Sequence, residues 1–144
     1  FKLEGSDGKM HTLADYAGKN IVIYFYPKDN TPGCTKESCG FRDLNTAFKD
    51  HNTVVLGVSK DGLVSHKKFI NKFDLPFVLL SDPDTSMMTQ YKAWREKSLY
   101  GKTALGCIRS TVIIDPSGTI IKHWQRVPKA ETHPDKVFEF VQSL

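Results

Sequence analysis

The chain has 144 residues, of which 40% are hydrophobic and 25% are charged, so it is long enough for one well-filled core and too short for two typical domains. Its net charge of +4 comes from 20 basic residues scattered among 16 acidic ones, and no apolar stretch approaches the roughly 20 residues of a membrane helix. We therefore expect a single domain over residues 1–144, in a cytoplasmic protein that binds neither nucleic acid nor membrane.

The first predicted elements are a short hairpin, two buried strands and a helix between those strands. The hairpin covers residues 1–12. Residues 20–26 and 53–59 are continuous runs of apolar and β-branched side chains, which is typical of strands covered on both faces. Between the two runs, residues 34–50 carry apolar side chains at spacings of three and four, which indicates an amphipathic helix.

The rest of the chain continues this alternation and then changes it. The patterns predict a helix at 63–73, a strand at 76–82, a helix at 84–94, a hairpin of two strands at 110–125 and a closing helix at 132–144. Parallel strands with crossover helices, followed by an antiparallel hairpin, imply an α/β protein whose central mixed sheet has helices on both faces. A thioredoxin-like fold, with an N-terminal hairpin added, fits this order best.

Two cysteines, Cys34 and Cys39, lie at the predicted start of the first long helix. Thr31 and Pro32 fit the cap and the first position of that helix, which places Cys34 in its first turn. Unpaired backbone N–H groups and the positive end of the helix dipole stabilise an anion there. Because the thiolate is the nucleophilic form of cysteine, Cys34 is a candidate reactive residue.

The spacing of the two cysteines limits how they can form a disulfide. In a regular helix, residues five apart have Cα atoms about 8–9 Å from each other, whereas a disulfide needs roughly 4.4–6.8 Å. Either the bond is structural and the segment is never a regular helix, or the helix unwinds each time the bond forms. Gly40 favours unwinding, because glycine lowers helix stability by about 1 kcal/mol relative to alanine.

A structural metal clip is the alternative use of these cysteines. The C-x4-C spacing is close to that of zinc sites, but a site needs two further ligands. The remaining donors are Cys107 and five dispersed histidines. We identify no metal-binding or cofactor-binding residues.

Four other residues have less specific interpretations. Cys107, beside an apolar strand, is interpreted as a small buried side chain. Trp94 and Tyr100 are assigned to aromatic packing, and a loop between them that borders the site is the alternative. His66 is interpreted as a surface or helix-capping histidine.

The residues around Cys34 resemble a known family. Pro27, Thr31 and Cys34 match the P-x-x-x-T/S-x-x-C motif of the peroxiredoxins, and Cys39 five residues later is similar to the bacterioferritin comigratory protein, or peroxiredoxin Q, branch. The segments FYPKDNTPGCTKESCGFRD, GVSKDGLVSHKKFINKFDLPFVLLSD and YGKTALGCIRSTVIID resemble that branch in order and spacing. The resemblance covers essentially the whole chain.

This resemblance implies a thiol peroxidase that reduces hydrogen peroxide and organic hydroperoxides. Cys34 would attack the O–O bond and become a sulfenic acid. Thr31 would offer its hydroxyl to the substrate oxygen and the thiolate, and Pro27 would shield the thiolate from water. Arg109 would lie beside the thiolate and stabilise the charge on the departing oxygen.

The resemblance also implies how the enzyme is regenerated. Cys39 would condense with the sulfenic acid to give an intrasubunit disulfide, and thioredoxin or a similar dithiol would reduce that bond. Monomers are expected for this branch. Cys107, two residues from Arg109, is a rival resolving thiol.

A stoichiometric redox sensor and a zinc-stabilised structural domain are the alternative functions.

Overall fold

The computed structural model describes the backbone of residues 1–144 and every side chain except that of Leu99. Nine strands lie at β1 Lys2–Glu4, β2 Met10–Thr12, β3 Asn20–Phe25, β4 Thr53–Ser59, β5 Val78–Ser81, β6 Trp94–Leu99, β7 Lys102–Cys107, β8 Ser110–Ile114 and β9 Ile120–Trp124. Four α-helices lie at α1 Pro32–Asp50, α2 Leu63–Phe73, α3 Ser86–Gln90 and α4 His133–Gln142, with a short 3-10 helix at Leu13–Tyr16.

The central sheet is mixed and has five strands in the order β5, β4, β3, β8, β9. Strands β3, β4 and β5 pair in parallel, while β8 pairs antiparallel with both β3 and β9. The hairpins β1–β2 and β6–β7 form separate two-stranded sheets. The predicted fold class, a thioredoxin-like α/β fold with a central mixed sheet and an N-terminal hairpin, is confirmed.

Both faces of β3 are buried, because its alternate side chains contribute to two core clusters. One cluster also contains apolar residues of α1, α2 and α4. The other contains two methionines of α3 and residues of both outer hairpins. The helices therefore lie on both faces of the sheet. The β3 residues of the first cluster are Val22 and Tyr24, and those of the second are Ile21, Ile23 and Phe25.

The predicted helix at 84–94 is too long, which is a correction to the sequence analysis. Helix α3 ends at Gln90, and Lys92 then adopts a left-handed backbone conformation with φ of 62°. That conformation is incompatible with a continuing right-handed helix. The chain then enters β6, so Trp94 is the first residue of a strand.

The β6–β7 hairpin was not predicted. Its two-residue turn consists of Tyr100 and Gly101, both with positive φ, as the tightest hairpin turns require. Trp94 packs against the second core cluster, as expected. The packing role assigned to Tyr100 is wrong, because its side chain is 95% exposed at the tip of the hairpin.

Helix α1 is held against α4 by a close contact. A Cβ atom at Gly40 would lie 2.7 Å from the Cγ atom of Pro134, so a larger residue would push the two helices apart. Gly40 therefore permits the packing of α1 on α4 in addition to lowering helix propensity. Among the residues that the structure describes, no helix is both long and apolar enough to cross a bilayer.

Candidate active site

The Cys34 thiol lies in the first turn of α1, at the carboxyl end of the parallel part of the sheet. Thr31 is the N-cap residue by its backbone conformation, and Pro32 is the first helical residue, so Cys34 is the third. Proline fits there because the first N–H groups of a helix have no intrahelical acceptor. The thiol is only 1% exposed and faces the positive end of the helix dipole.

Arg109 lies beside this thiol, in the position that the family resemblance implies. It follows β7, and its Nη2 atom is 3.2 Å from the Sγ atom of Cys34. Gly33 makes room for the guanidinium, because a Cβ atom there would lie 3.1 Å from Nη2. A fixed cation at this distance stabilises the thiolate and can contact an oxygen atom that approaches the sulfur.

Glu37 completes the cluster and was missed in the sequence analysis. Its Oε1 atom accepts a hydrogen bond of 2.8 Å from Nη1 of Arg109, and its side chain is fully buried. Burial raises the pKa of Glu37 to about 7, although the charge of Arg109 and its hydrogen bond act in the opposite direction. A sequence signal existed, because Glu37 lies on the buried face of α1, between Cys34 and Phe41 at spacings of three and four.

The pKa of Arg109 is raised as well. Desolvation by burial opposes the charged form, but Glu37 and Cys34 both favour it and outweigh that effect. The guanidinium therefore stays charged while one nitrogen contacts the carboxyl group and the other contacts the thiol. Glu37 orients Arg109, and Arg109 faces the sulfur.

Thr31 and Pro27, the other two residues of the motif, do not make the contacts expected for them. The Thr31 hydroxyl donates a 2.8 Å hydrogen bond to the carbonyl oxygen of Lys28, and it does not cap the helix. Its oxygen can still accept a hydrogen bond. Pro27 is exposed and lines a cavity that also contains Arg109.

Cys39 lies one and a half turns along the same helix. Both cysteines are free thiols, and Cys39 is half-buried where Cys34 is buried. Because α1 is continuous through both positions, their Cα atoms are about 8–9 Å apart, which is too far for a disulfide. Closing the bond therefore requires this part of α1 to unwind.

Cys107 is buried, as predicted from its position beside an apolar strand. Burial raises the pKa of its thiol to about 12, although nearby Lys97 lowers it. A thiol that stays protonated is a poor nucleophile. The structure thus gives no advantage to Cys107 as a resolving thiol.

His66 is completely buried, which corrects its assignment to the surface or to a helix cap. Its Nδ1 atom is 2.7 Å from the Asp29 carboxylate, and its Nε2 atom is 3.0 Å from the carbonyl oxygen of Leu80. Both ring nitrogens therefore have a hydrogen-bonding partner, although the ring is completely buried. Asp29 lies in the loop between β3 and α1, so the pair fixes the loop that carries Pro27 and Thr31.

The described residues contain no group of three or more His, Cys, Asp and Glu side chains placed to hold a metal ion. The two additional ligands that a zinc clip at Cys34 and Cys39 would need are therefore not found within them.

Comparisons with known proteins point to one family. The profile of the AhpC/TSA family matches residues 1–123. Peroxiredoxin Bcp of Bacillus subtilis is 44% identical over 143 residues, covering 99% of this chain and 88% of the relative. A putative peroxiredoxin Bcp of Helicobacter pylori strain J99 is 48% identical over 139 residues, covering 96% of this chain and 91% of the relative.

Solved structures give the same result. The bacterioferritin comigratory protein of Xanthomonas campestris, described by its alkyl peroxide reduction activity, superposes with a TM-score of 0.94 at 38% identity, covering 99% of this chain and 90% of that one. Peroxiredoxin Q of Xylella fastidiosa superposes with a TM-score of 0.93 at 36% identity, covering 99% of this chain and 88% of that one.

Proposed function

The chain belongs to the AhpC/TSA family and is a peroxiredoxin of the Bcp type, and on that premise we propose how its two cysteines perform the peroxidase reaction. The observation that carries the proposal is the buried Cys34 thiol at a helix start, with Arg109 3.2 Å from its sulfur. A buried thiol beside a fixed cation is suited to attack a small electrophile that also offers an oxygen to that cation.

In the first step, the Cys34 thiolate attacks one peroxide oxygen and the O–O bond breaks. The sulfur becomes a sulfenic acid, and the other oxygen leaves as water or an alcohol after taking up a proton. Arg109 stabilises the negative charge that develops on the departing oxygen. Thr31 accepts a hydrogen bond from the protonated peroxide oxygen, and Pro27 restricts access of water.

In the second step, the Cys39 sulfur attacks the sulfenic sulfur of Cys34. A disulfide forms, and the sulfenic oxygen leaves as water. The step requires local unwinding of α1, which breaks the contact of Glu37 with Arg109 and the 2.8 Å hydrogen bond between Ser38 and Tyr24.

We further propose that thioredoxin or a similar dithiol protein reduces this bond, and that the enzyme acts as a monomer in a reducing compartment such as the cytoplasm. Cys39 is the more exposed of the two thiols, so its sulfur is the better point of attack for a protein reductant. Because both reacting sulfurs belong to one chain, the cycle needs no second copy. Hydrogen peroxide and organic hydroperoxides are both proposed substrates.

The decisive experiment is reductant-coupled peroxide turnover by the wild type and by Cys34→Ser, Cys39→Ser and Cys107→Ser variants. We expect Cys34→Ser to abolish turnover and Cys107→Ser to retain it. Cys39→Ser should retain one oxidation event per chain but lose multiple turnovers with thioredoxin. Sustained turnover by Cys34→Ser would refute the proposed role of Cys34, and a single burst in the wild type would favour the sensor.

Disulfide mapping after one equivalent of peroxide tests the resolving step separately. A bond between Cys34 and Cys39 supports the proposed cycle. A bond between Cys34 and Cys107 would move the resolving role to Cys107, even though its thiol is buried and its pKa is raised to about 12.

A further inference from the structure

A charged cavity lies next to Arg109, which contacts the Cys34 thiol. This cavity, of about 520 Å³, lies between the β6–β7 hairpin and the segments on either side of β8 and β9. Pro27 and Arg109 contribute to its lining, and Arg109 also contacts the Cys34 sulfur, so the cavity adjoins the reaction centre. Three further cations line it, namely Arg95, Lys97 and Arg126.

Two of these cations are held in place by backbone carbonyl groups. Arg95 donates to two carbonyl oxygens at 2.7 and 3.3 Å. The stem of Lys97 lies across Gly106, where a Cβ atom would come within 2.6 Å of it, and its Nζ atom donates to the carbonyl oxygen of Cys107 at 2.9 Å. Carbonyl groups orient a cation without neutralising it.

The positive charge of the cavity is not balanced by carboxylates. Among the described residues, Arg95, Lys97 and Arg126 form no ion pair with an aspartate or a glutamate. Glu96 is the one acidic side chain in the described lining of this cavity, against three cations that have no carboxylate partner; the fourth cation, Arg109, is paired with Glu37. A concave surface with excess charge of one sign attracts ligands of the opposite sign.

The cavity also has an apolar part. Pro27, Ile108 and Val127 line it together with the charged groups. Specific binding sites commonly combine an apolar lining with a few placed polar groups. A ligand that fits has a short hydrocarbon portion and an anionic end.

We propose that this cavity binds the anionic group of an organic hydroperoxide, so that a carboxylate on the substrate contacts Arg126 and Lys97 while Arg109 contacts the peroxide. The proposal rests on the peroxidase activity proposed above and adds a substrate class to it. Hydrogen peroxide and neutral alkyl hydroperoxides make only the contact with Arg109. A carboxylated hydroperoxide makes a second contact, which lowers KM.

The test uses a matched set of hydroperoxides. The probes are tert-butyl hydroperoxide, its carboxylated analogue 3-hydroperoxy-3-methylbutanoate, and the methyl ester of that acid. We expect kcat/KM for the acid to exceed that for the ester by about three- to tenfold, the range of one partly exposed charged contact. The preference should fall as salt rises to 0.5 M, because ions screen exposed charges.

Single substitutions test whether the preference for the acid arises in this cavity. In Arg126→Gln and in Lys97→Gln, the ratio of kcat/KM for the acid to that for the ester should fall towards one. This fall should come from a higher KM for the acid, with kcat unchanged. Lys102→Gln removes an exposed cation of the same hairpin outside the cavity lining, and it should keep the wild-type ratio. As a third arm, 3-methylbutanoate lacks the peroxide and should inhibit turnover competitively in the wild type and less in Arg126→Gln.

The outcomes distinguish failure of the anion site from failure of the proposed peroxidase activity. Equal use of acid and ester by the wild type would overturn the anion site while leaving peroxidase activity intact, as turnover of tert-butyl hydroperoxide would show. A preference for the acid that Arg126→Gln and Lys102→Gln reduce equally would also overturn it, since the effect would then come from overall charge. Absence of turnover with every peroxide would instead refute the proposed function.

Discussion

At the residue scale, Gly33 determines how closely Arg109 can approach the Cys34 thiol. A methyl group at this position would lie 3.1 Å from Nη2 of Arg109, which is tighter than ordinary side-chain contacts. The guanidinium would have to move by a few tenths of an ångström. Activity and stability should therefore respond differently to a substitution here.

We expect Gly33→Ala to lower kcat/KM for peroxide by about tenfold, because it weakens one charge-assisted contact to the reacting sulfur. Stability should stay the same or rise by up to about 1 kcal/mol, because alanine favours the helix. Stopped-flow oxidation and urea unfolding give the two quantities. Gly62→Ala is the control, since a Cβ atom there meets nothing within 4 Å. Unchanged oxidation kinetics in Gly33→Ala would show that the distance of Arg109 is not critical.

The ionisation of Glu37 makes the free energy of unfolding depend on pH. Its pKa is about 7 in the folded protein and 4.5 in the absence of the fold, mainly because burial disfavours the carboxylate. The folded state therefore binds the proton more tightly than the unfolded chain does. The stabilising contribution of that proton is fully present below pH 4.5 and is lost as the pH rises to about 7.

The Glu37→Gln variant should accordingly be more stable than the wild type at pH 8, by up to about 3 kcal/mol. Glutamine keeps an acceptor for Arg109 and cannot ionise. The difference in the free energy of unfolding should shrink between pH 7 and pH 4.5 and vanish below that range. Urea unfolding of both proteins from pH 4 to 8 measures it, and a difference that is independent of pH would contradict the assignment.

At the element scale, the Asp29 and His66 pair joins helix α2 to the loop that precedes α1. Asp29 also accepts hydrogen bonds from the hydroxyls of Tyr26, at 2.5 Å, and Ser65, at 2.8 Å. Tyr26, Asp29 and His66 are buried, and Ser65 is partly buried. A buried ion pair that loses one partner leaves an uncompensated charge.

We expect Asp29→Asn to destabilise the protein by about 3 kcal/mol or more. Asp50→Asn removes an exposed carboxylate at the end of α1 and should change stability by less than about 0.5 kcal/mol. Thermal and urea unfolding measure both effects. If Asp29→Asn unfolded at the same urea concentration as the wild type, the pair would not be the anchor of this loop.

Helix α1 must change conformation during the proposed cycle. Its buried residues between the two cysteines, Glu37 and Ser38, contact Arg109 and Tyr24, so unwinding exposes their amide groups together. Peroxide-oxidised protein should therefore exchange amide hydrogens faster at residues 34–41 than reduced protein does. Strand β8 should keep its protection in both forms. Equal protection of residues 34–41 in the two forms would exclude unwinding as the route to the disulfide.

Elements with a clear local sequence pattern were predicted well, whereas features with an unusual turn residue or a distant partner were not. Strand β3 and helix α1 follow from an apolar run and from side-chain spacing alone. The β6–β7 hairpin was missed because Tyr100 occupies a turn position at which asparagine or glycine is the usual signal. The burial of His66 depends on Asp29, which lies 37 residues away in the sequence.

The site shows the same division. The predicted start of α1 indicated Cys34, and the family resemblance added Arg109. Glu37 was missed because a glutamate on a helix is usually exposed, and only the neighbouring guanidinium makes its burial tolerable.

At the scale of the whole molecule, the reduced form is the well-packed state and the disulfide works against it. Linking Cys34 to Cys39 closes a loop of only six residues, which stabilises the fold through chain entropy by about 2 kcal/mol at most. Unwinding breaks the hydrogen bond of Glu37 to the charged Arg109, worth roughly 1.5–3 kcal/mol, and one further hydrogen bond of about 1 kcal/mol.

The oxidised protein should therefore be less stable than the reduced protein, with a Tm lower by roughly 2–8 °C. Calorimetry of the peroxide-oxidised and dithiol-reduced forms measures this difference, and Cys39→Ser, which cannot form the bond, should show no such drop after the same peroxide treatment. A higher Tm in the oxidised form would mean that the disulfide is structural. A lower Tm means that the fold favours reduction of the bond. The free energy of unfolding that the protein loses when the disulfide forms is regained when a dithiol reduces it.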